Sequence, residues 1–197
     1  MTGEERQKGS LINMAAFLPV SRSNGPGRRA VVWVQGCGRN CPGCFNQDMQ
    51  VFADKQLIAP EELAERILAI DGIEGVTFSG GEPFAQAEAL AELAEQLRAC
   101  GLNIVIFSGY TFAELSTGRN LAWQRLLAVT DLLVAGPYEQ GLPSQDYLRA
   151  SVNQRLLFLT DKLMQHPDVG DNNHGQITEV IVDAAGKVII TGLGQIF

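Results

Sequence analysis

A chain of 197 residues, 46% hydrophobic and 19% charged, has the length and balance of one ordinary globular domain. Its formal net charge of −7, with Arg28–Arg29 as the only basic pair, excludes the basic footprint of a nucleic-acid binder. No apolar run approaches the roughly 20 residues that span a bilayer, and the polar start Met1-Thr2-Gly3-Glu4-Glu5-Arg6 carries no apolar core of a signal peptide.

The expectation is therefore a cytoplasmic protein with no membrane and no nucleic-acid partner, in a reducing compartment where clustered cysteines do not form a disulfide framework. Arg28–Arg29 reads as a solvated pair. Residues 1–10 read as a flexible tail and residues 11–197 as a single domain. Leu11 to Val20 is apolar with Pro19 near its end, as an edge-type strand would be. Ser21 to Gly27 is turn-rich. Ala30 to Gln35 is β-branched and aromatic, and reads as a buried strand. Cys37-Gly38-Arg39-Asn40-Cys41-Pro42-Gly43-Cys44 follows directly. Pro60 then opens a helix, with acids in its first turn and an apolar stripe of Leu63, Ile67, Leu68 and Ile70.

Val76 to Phe78 is a short strand leading into Ser79-Gly80-Gly81-Glu82-Pro83. Gln86 to Cys100 is rich in Ala, Leu, Glu and Gln and predicts a helix closed by Gly101. Asn103 to Phe107 is the next strand, before Ser108-Gly109-Tyr110. Thr111 to Leu115 and Leu121 to Val129 read as helical. Asp131 to Ala135 is a strand ending at Gly136-Pro137-Tyr138, and Arg155 to Leu159 reads as another. Gln165 to Gln176 has no apolar period and reads as a mobile loop (residues 165–176), with His166 and His174 solvated. Val180 to Val182 and Val188 to Ile190 flank Asp183-Ala184-Ala185-Gly186-Lys187, a terminal hairpin over 180–191.

Alternating strands and helices imply an α/β fold with a parallel sheet and right-handed crossovers. The cysteine loop, Ser79 to Pro83, Ser108 to Tyr110 and Gly136 to Tyr138 all follow strands, and such loops converge on one face of a parallel α/β fold. A full eight-unit barrel needs about 250 residues. The expectation is an incomplete (partial) parallel β/α barrel with a small C-terminal β-hairpin. Its mouth would be wide enough for a large substrate such as another protein.

Three of the four cysteines fall within eight residues of one loop. Thiolates suit iron–sulfur clusters, zinc and Cu(I). A 4Fe–4S cluster held by Cys37, Cys41 and Cys44 would leave one iron without a protein ligand. A structural zinc site would need Cys100 or His166 as a fourth ligand, although Cys100 at a helix end reads as a small buried hydrophobe.

The spacing Cys-x-x-x-Cys-x-x-Cys, followed at a second strand end by Gly80-Gly81-Glu82-Pro83, resembles the radical S-adenosylmethionine superfamily. Gly43 stands where many members have an aromatic. Cys41-Pro42-Gly43-Cys44-Phe45-Asn46 resembles the activating-enzyme branch, in particular the activating proteins of anaerobic ribonucleotide reductase. Phe107 to Thr111, Asp131 to Tyr138 and Ser151 to Arg155 resemble further segments of that family. Ala135 stands where the family has a second Asp and Ala150 where it has Gly, and the portion from about Asp161 is longer than in its smallest members.

The resemblance implies a 4Fe–4S cluster on Cys37, Cys41 and Cys44, and S-adenosylmethionine chelated at the open iron. It implies that Gly80, Gly81 and Glu82 contact the methionine amino group. Reductive cleavage would give a 5′-deoxyadenosyl radical, which abstracts hydrogen from a glycine of a glycyl-radical-type partner protein, and a flavodoxin or ferredoxin would supply the electron. Phe45 could stack near the adenine or belong to the core. Ser108 could bind the cofactor or cap the following helix. Tyr138, Asn153 and Arg155 are open between substrate contacts and structural roles, an ion pair included. Trp33 and Trp123 read as core. Two alternatives stand beside this reading: a radical enzyme acting on a peptide or small molecule, and a non-catalytic iron–sulfur or zinc module.

Overall fold

The computed structural model describes residues 10–169, 175–182, 186 and 188–193. Residues 1–9 of the expected tail, His174, and the hairpin turn apart from Gly186 lie outside the described residues. Strand β1 (Ile12–Ser21) runs antiparallel to β2 (Arg29–Val34), and β3 (Gln56–Ile58) pairs antiparallel with the start of β1. Helix α1 (Pro60–Leu68) leads to β4 (Gly75–Gly80), α2 (Ala87–Ala99) to β5 (Asn103–Ser108), and α3 (Phe112–Thr117) with α4 (Leu121–Ala128) to β6 (Leu132–Ala135). Then β7 (Arg155–Phe158) turns back antiparallel to β6. The sheet order is β3-β1-β2-β4-β5-β6-β7, and β2, β4, β5 and β6 are parallel. A separate hairpin pairs β8 (Thr178–Val182) with β9 (Val188–Gly192). This is the partial α/β architecture that the strand–helix alternation implies.

The two faces of the sheet follow the period-two alternation of each strand. Ala30, Val32, Val34, Val76, Phe78, Ile104 and Ile106 face the helices and form the main core with Leu63, Ile67, Leu90, Leu93 and Leu97. Val31 and Trp33 point to the other face, where they pack with Leu18 and Ile181 of the hairpin. On that same face Val105 and Val134 pack with Tyr147 and Leu148. Trp33 is buried there, and Trp123 is half-buried against the main core, its indole N–H donating to the Phe84 carbonyl at 2.8 Å.

Helix α2 ends as its sequence predicts. Gly101 adopts φ +91°, its N–H bonds the Arg98 carbonyl at 2.9 Å, and the Leu102 N–H reaches Leu97 at 3.2 Å, the paired bonds of a Schellman cap.

Four expectations change. Strand β1 is not at the edge, because the three residues of β3 lie outside it; β3 covers only Ile12 to Met14, so Pro19 falls where no partner needs its missing N–H. Arg29 is not solvated but fully buried. Its guanidinium donates to the Pro26 carbonyl and to Asn103 Oδ1 at 3.0 Å, and burial lowers its pKa to about 10, so it remains a cation at neutral pH. Cys100 is exposed rather than buried, because it is the residue on which α2 ends, outside the apolar stripe.

Within the expected mobile loop, His166 and Asp168 are held. The His166 ring lies 3.3 Å from Glu74 and Asp168 accepts the Gly27 N–H at 2.8 Å, so His166 is tethered rather than solvated. No helix among the described residues is long and apolar enough to cross a membrane.

Candidate active site

Beyond β2 the chain is fixed before it reaches the thiols. Gly36 turns it at φ +98°, its N–H donates to the Met49 carbonyl at 2.8 Å, and the Cys37 N–H donates to the Gln50 carbonyl at 2.9 Å. The Gln35 side-chain amide adds bonds to the Asp48 and Val51 carbonyls. Inside this closed base, Asn40 (φ +47°) and Gly43 (φ +69°) bend the loop, and the Cys44 N–H reaches the Cys41 carbonyl at 3.2 Å. Two thiols already receive backbone donors: the Arg39 N–H lies 3.4 Å from Cys37 Sγ and the Asn46 N–H 3.4 Å from Cys44 Sγ. Hydrogen bonds of this kind to cluster sulfurs tune iron–sulfur potentials.

Cys37, Cys41 and Cys44 are half-buried and line one cavity of about 450 Å³. Burial pushes the Cys37 thiol up, so a bound metal has to displace its proton. Among the described residues no three His, Cys, Asp or Glu side chains are placed to hold a single metal ion. A 4Fe–4S cluster spreads its thiolates over separate irons. Three soft donors on a braced loop, two of them hydrogen-bonded at sulfur, fit that group.

The second motif is bonded to the first. The Gly81 N–H donates to the Val34 carbonyl at 2.7 Å and the Glu82 N–H to the Gly36 carbonyl at 2.9 Å. A Cβ on Gly80 would fall 2.7 Å from the Val34 backbone, and one on Gly81 2.4 Å from the Gly36 carbonyl oxygen. Both glycines are thus required by contact with the root of the cysteine loop. The Asn46 amide also donates to the Gly80 carbonyl at 3.3 Å.

Glu82 is 1% exposed, and its carboxylate is filled from within. Oε1 accepts from the Phe84 N–H and the Ser108 hydroxyl, each at 2.9 Å, and Oε2 accepts from the Gly109 N–H at 2.8 Å. Burial raises its pKa to about 7, against the pull of those donors. Ser108 is buried as well, and its oxygen accepts the Tyr110 N–H at 3.1 Å. It does not cap α3: Thr111 does, in a reciprocal capping box with Glu114. Glu82 and Ser108 tie the loop after β4 to the loop after β5.

Phe45 is 63% exposed, so it is not core; its ring lies 5.0 Å from that of Tyr138, and both line the cavity. Asn153 donates to the Pro137 carbonyl at 2.8 Å, while Arg155 is exposed beside the same segment and makes no ion pair among the described residues. Arg39 was not singled out by the sequence reading. Its guanidinium sits 4.8 Å over the Tyr110 ring and 3.0 Å from Glu114, fastening the cysteine loop to α3. The one sequence signal for it was its place between Cys37 and Cys41.

Comparison with known proteins agrees with this geometry. The 4Fe–4S single cluster domain family matches residues 23–157. The anaerobic ribonucleoside-triphosphate reductase-activating protein of Enterobacteria phage T4 is 31% identical over 162 residues, 79% of this chain and 99% of its own. The protein of that name from Vibrio cholerae is 31% identical over 154 residues, 73% and 96% of the two chains. Pyruvate formate-lyase-activating enzyme of Clostridium pasteurianum is 32% identical over 117 residues, 56% of this chain and 46% of that one. The crystal structure of QueE from Escherichia coli overlays with a TM-score of 0.41 at 18% identity, covering 52% of this chain and 54% of that one. With a family match over residues 23–157 and the two activating-protein relatives at 31% identity, the chain belongs to the 4Fe–4S single cluster domain family, in the activating-enzyme branch of the radical S-adenosylmethionine superfamily.

Proposed function

We propose that the protein is an activase of the anaerobic ribonucleotide reductase type, which takes a hydrogen atom from a glycine of a partner enzyme. Cys37, Cys41 and Cys44 would hold the 4Fe–4S cluster. Gly80, Gly81 and Glu82 would place the methionine end of S-adenosylmethionine against it, the first two through their backbone and Glu82 through its bond to Gly36. Ser108 would act through Glu82, and Phe45 would cover the adenine side. When bound, the reduced cluster and S-adenosylmethionine supply reductive carbon–sulfur cleavage and hydrogen-atom abstraction. A flavodoxin or ferredoxin would deliver the electron.

The observation that carries this reading is the joining of the two motifs at one cavity wall by the Gly81–Val34 and Glu82–Gly36 bonds. The cavity size supports the substrate. About 450 Å³ lies low in the range of roughly 300–1,000 Å³ that holds one small molecule. A cofactor leaves room only for a slim guest, and glycine, with no side chain, is the slimmest segment a protein can offer.

The test is anaerobic reconstitution with iron and sulfide, then reduction in the presence of S-adenosylmethionine. Methionine and 5′-deoxyadenosine should form. Cys37→Ala, Cys41→Ala and Cys44→Ala should each lower the yield at least about a hundredfold, whereas Cys100→Ala, at an exposed helix end, should not. A wild-type protein that takes up one zinc and makes no deoxyadenosine would refute the reading.

A further inference from the structure

The family match ends at residue 157, yet the chain goes on to build the β8–β9 hairpin. The hairpin is clasped to the domain by a carboxylate. Glu179 accepts from the Ser21 and Ser23 hydroxyls and from the N–H groups of Arg22 (3.0 Å) and Ser23 (3.1 Å). Asn24 donates to Thr191 Oγ1 at 2.9 Å. Burial would raise the Glu179 pKa, but these bonds lower it below the usual carboxylate value, so the clasp is charged at neutral pH.

The inner face of the hairpin is accounted for, since Ile181 packs on Leu18, Val31 and Trp33. The outer face has no apolar partner among the described residues. Register places Val180 opposite Ile190 and Val182 opposite Val188, and all four side chains are exposed. An apolar patch of this kind on a soluble surface marks an interaction site.

Its position indicates the occupant. Ile190 is 59% exposed on the outer face and also lines the cavity that contains Cys37, Cys41 and Cys44. Patch and cavity are therefore continuous. A cavity that holds little beyond one small molecule keeps the folded body of a protein substrate outside, so that body has to rest on the surface adjoining it.

We infer that the outer face of the β8–β9 hairpin, with Ile190 at its inner end, seats the segment of the partner protein that carries the target glycine. That segment is an extended, apolar stretch of chain that runs over the hairpin into the cavity. The inference rests on the activase reading given above.

The experiment compares reconstituted wild type with Val180→Asp and Ile190→Asp. The probe is a fluorescent synthetic peptide spanning the target glycine of an anaerobic ribonucleoside-triphosphate reductase from the same cell, with binding read by anisotropy. Glycyl-radical formation on the whole reductase, read by electron paramagnetic resonance, gives KM and kcat. Each variant should bind the peptide at least tenfold more weakly and raise KM by a similar factor, with kcat changed less than threefold in Val180→Asp, whose site lies away from the cavity. Ile190→Val should restore binding. Both sites are exposed, so the melting temperature should stay at the wild-type value and exclude unfolding as the cause.

Unchanged peptide affinity and KM in both variants would overturn the inference. So would a wild-type dimer that Val180→Asp splits without altering peptide affinity, because the patch would then join two copies of this chain. A wild type that makes no deoxyadenosine at all would overturn the activase reading and this inference with it. Intact deoxyadenosine formation with unaltered peptide binding overturns the inference alone.

Discussion

Glu82 belongs to a motif that the sequence marks, but the surroundings of its side chain come from other parts of the chain. Its place in Gly80-Gly81-Glu82-Pro83 marks the loop, but its carboxylate faces Ser108, Gly109 and Phe84 rather than open space. The consequence is a pH dependence. The unfolded chain ionises this group near 4.5, while the folded protein keeps its proton up to about 7. Its stabilising contribution is therefore full below the unfolded value and is lost as pH rises through the folded one, on the order of 3 kcal/mol across the window. Glu82→Gln is neutral throughout and should flatten this decline in the cluster-free protein, at a pH-independent cost of about 1–2 kcal/mol for the amide donor facing Gly109. Urea midpoints between about pH 4.5 and about pH 7 measure it; parallel slopes for variant and wild type would refute it. The three cysteines were legible because soft ligands at fixed spacing have few other uses. The burial of Glu82, Ser108 and Arg29 was not, because it depends on partners 26 to 74 positions away.

At the scale of elements, local chemistry carried far. Helix α2 begins and ends within one residue of its sequence signals, and α1 begins at Pro60 as expected but stops at Leu68, short of Ile70 in its apolar stripe. Strand β3 escaped notice because Gln56, Leu57 and Ile58 are too few to show a period. The junction of β5 and β6 depends on one buried acid. Asp131 accepts from the Ile104 N–H (2.8 Å), Arg98 (2.8 Å) and the Thr160 hydroxyl (2.6 Å), and so ties two strands to α2 and to the end of β7. Asp131→Ala leaves a buried N–H and an arginine without their partner. It should destabilise the protein by about 3–5 kcal/mol, read as a lower urea midpoint with an unchanged m-value. A loss under about 1 kcal/mol would show that the strands hold without it.

For the molecule as a whole, the parallel core and the gathering of loops at its strand ends followed from alternation alone. The filling of the sheet's other face did not. Tyr147 and Leu148 from one loop and Ile181 from the hairpin come from segments with no periodicity that would announce their destination. Tyr147, Leu148 and, from the hairpin, Ile190 line the cavity of about 450 Å³ at the mouth of the partial barrel. Tyr147 and Leu148 belong to the family-matched segment, and Ile181 and Ile190 lie beyond it.

The paired bonds at the base of the cysteine loop, Gly36 to Met49 and Cys37 to Gln50, carry one more consequence, and it is entropic. Bringing together the ends of a flexible loop of this length costs about 2 kcal/mol in chain freedom. Here that cost is met by backbone groups that bind no iron, unlike zinc fingers, whose folding waits for the metal. Stripping the iron with a chelator should therefore leave the far-ultraviolet dichroism and a single cooperative urea transition in place; a chelated chain without that transition would contradict it. A cluster destroyed by oxygen could then be rebuilt on a standing loop, with no need to refold the chain around it.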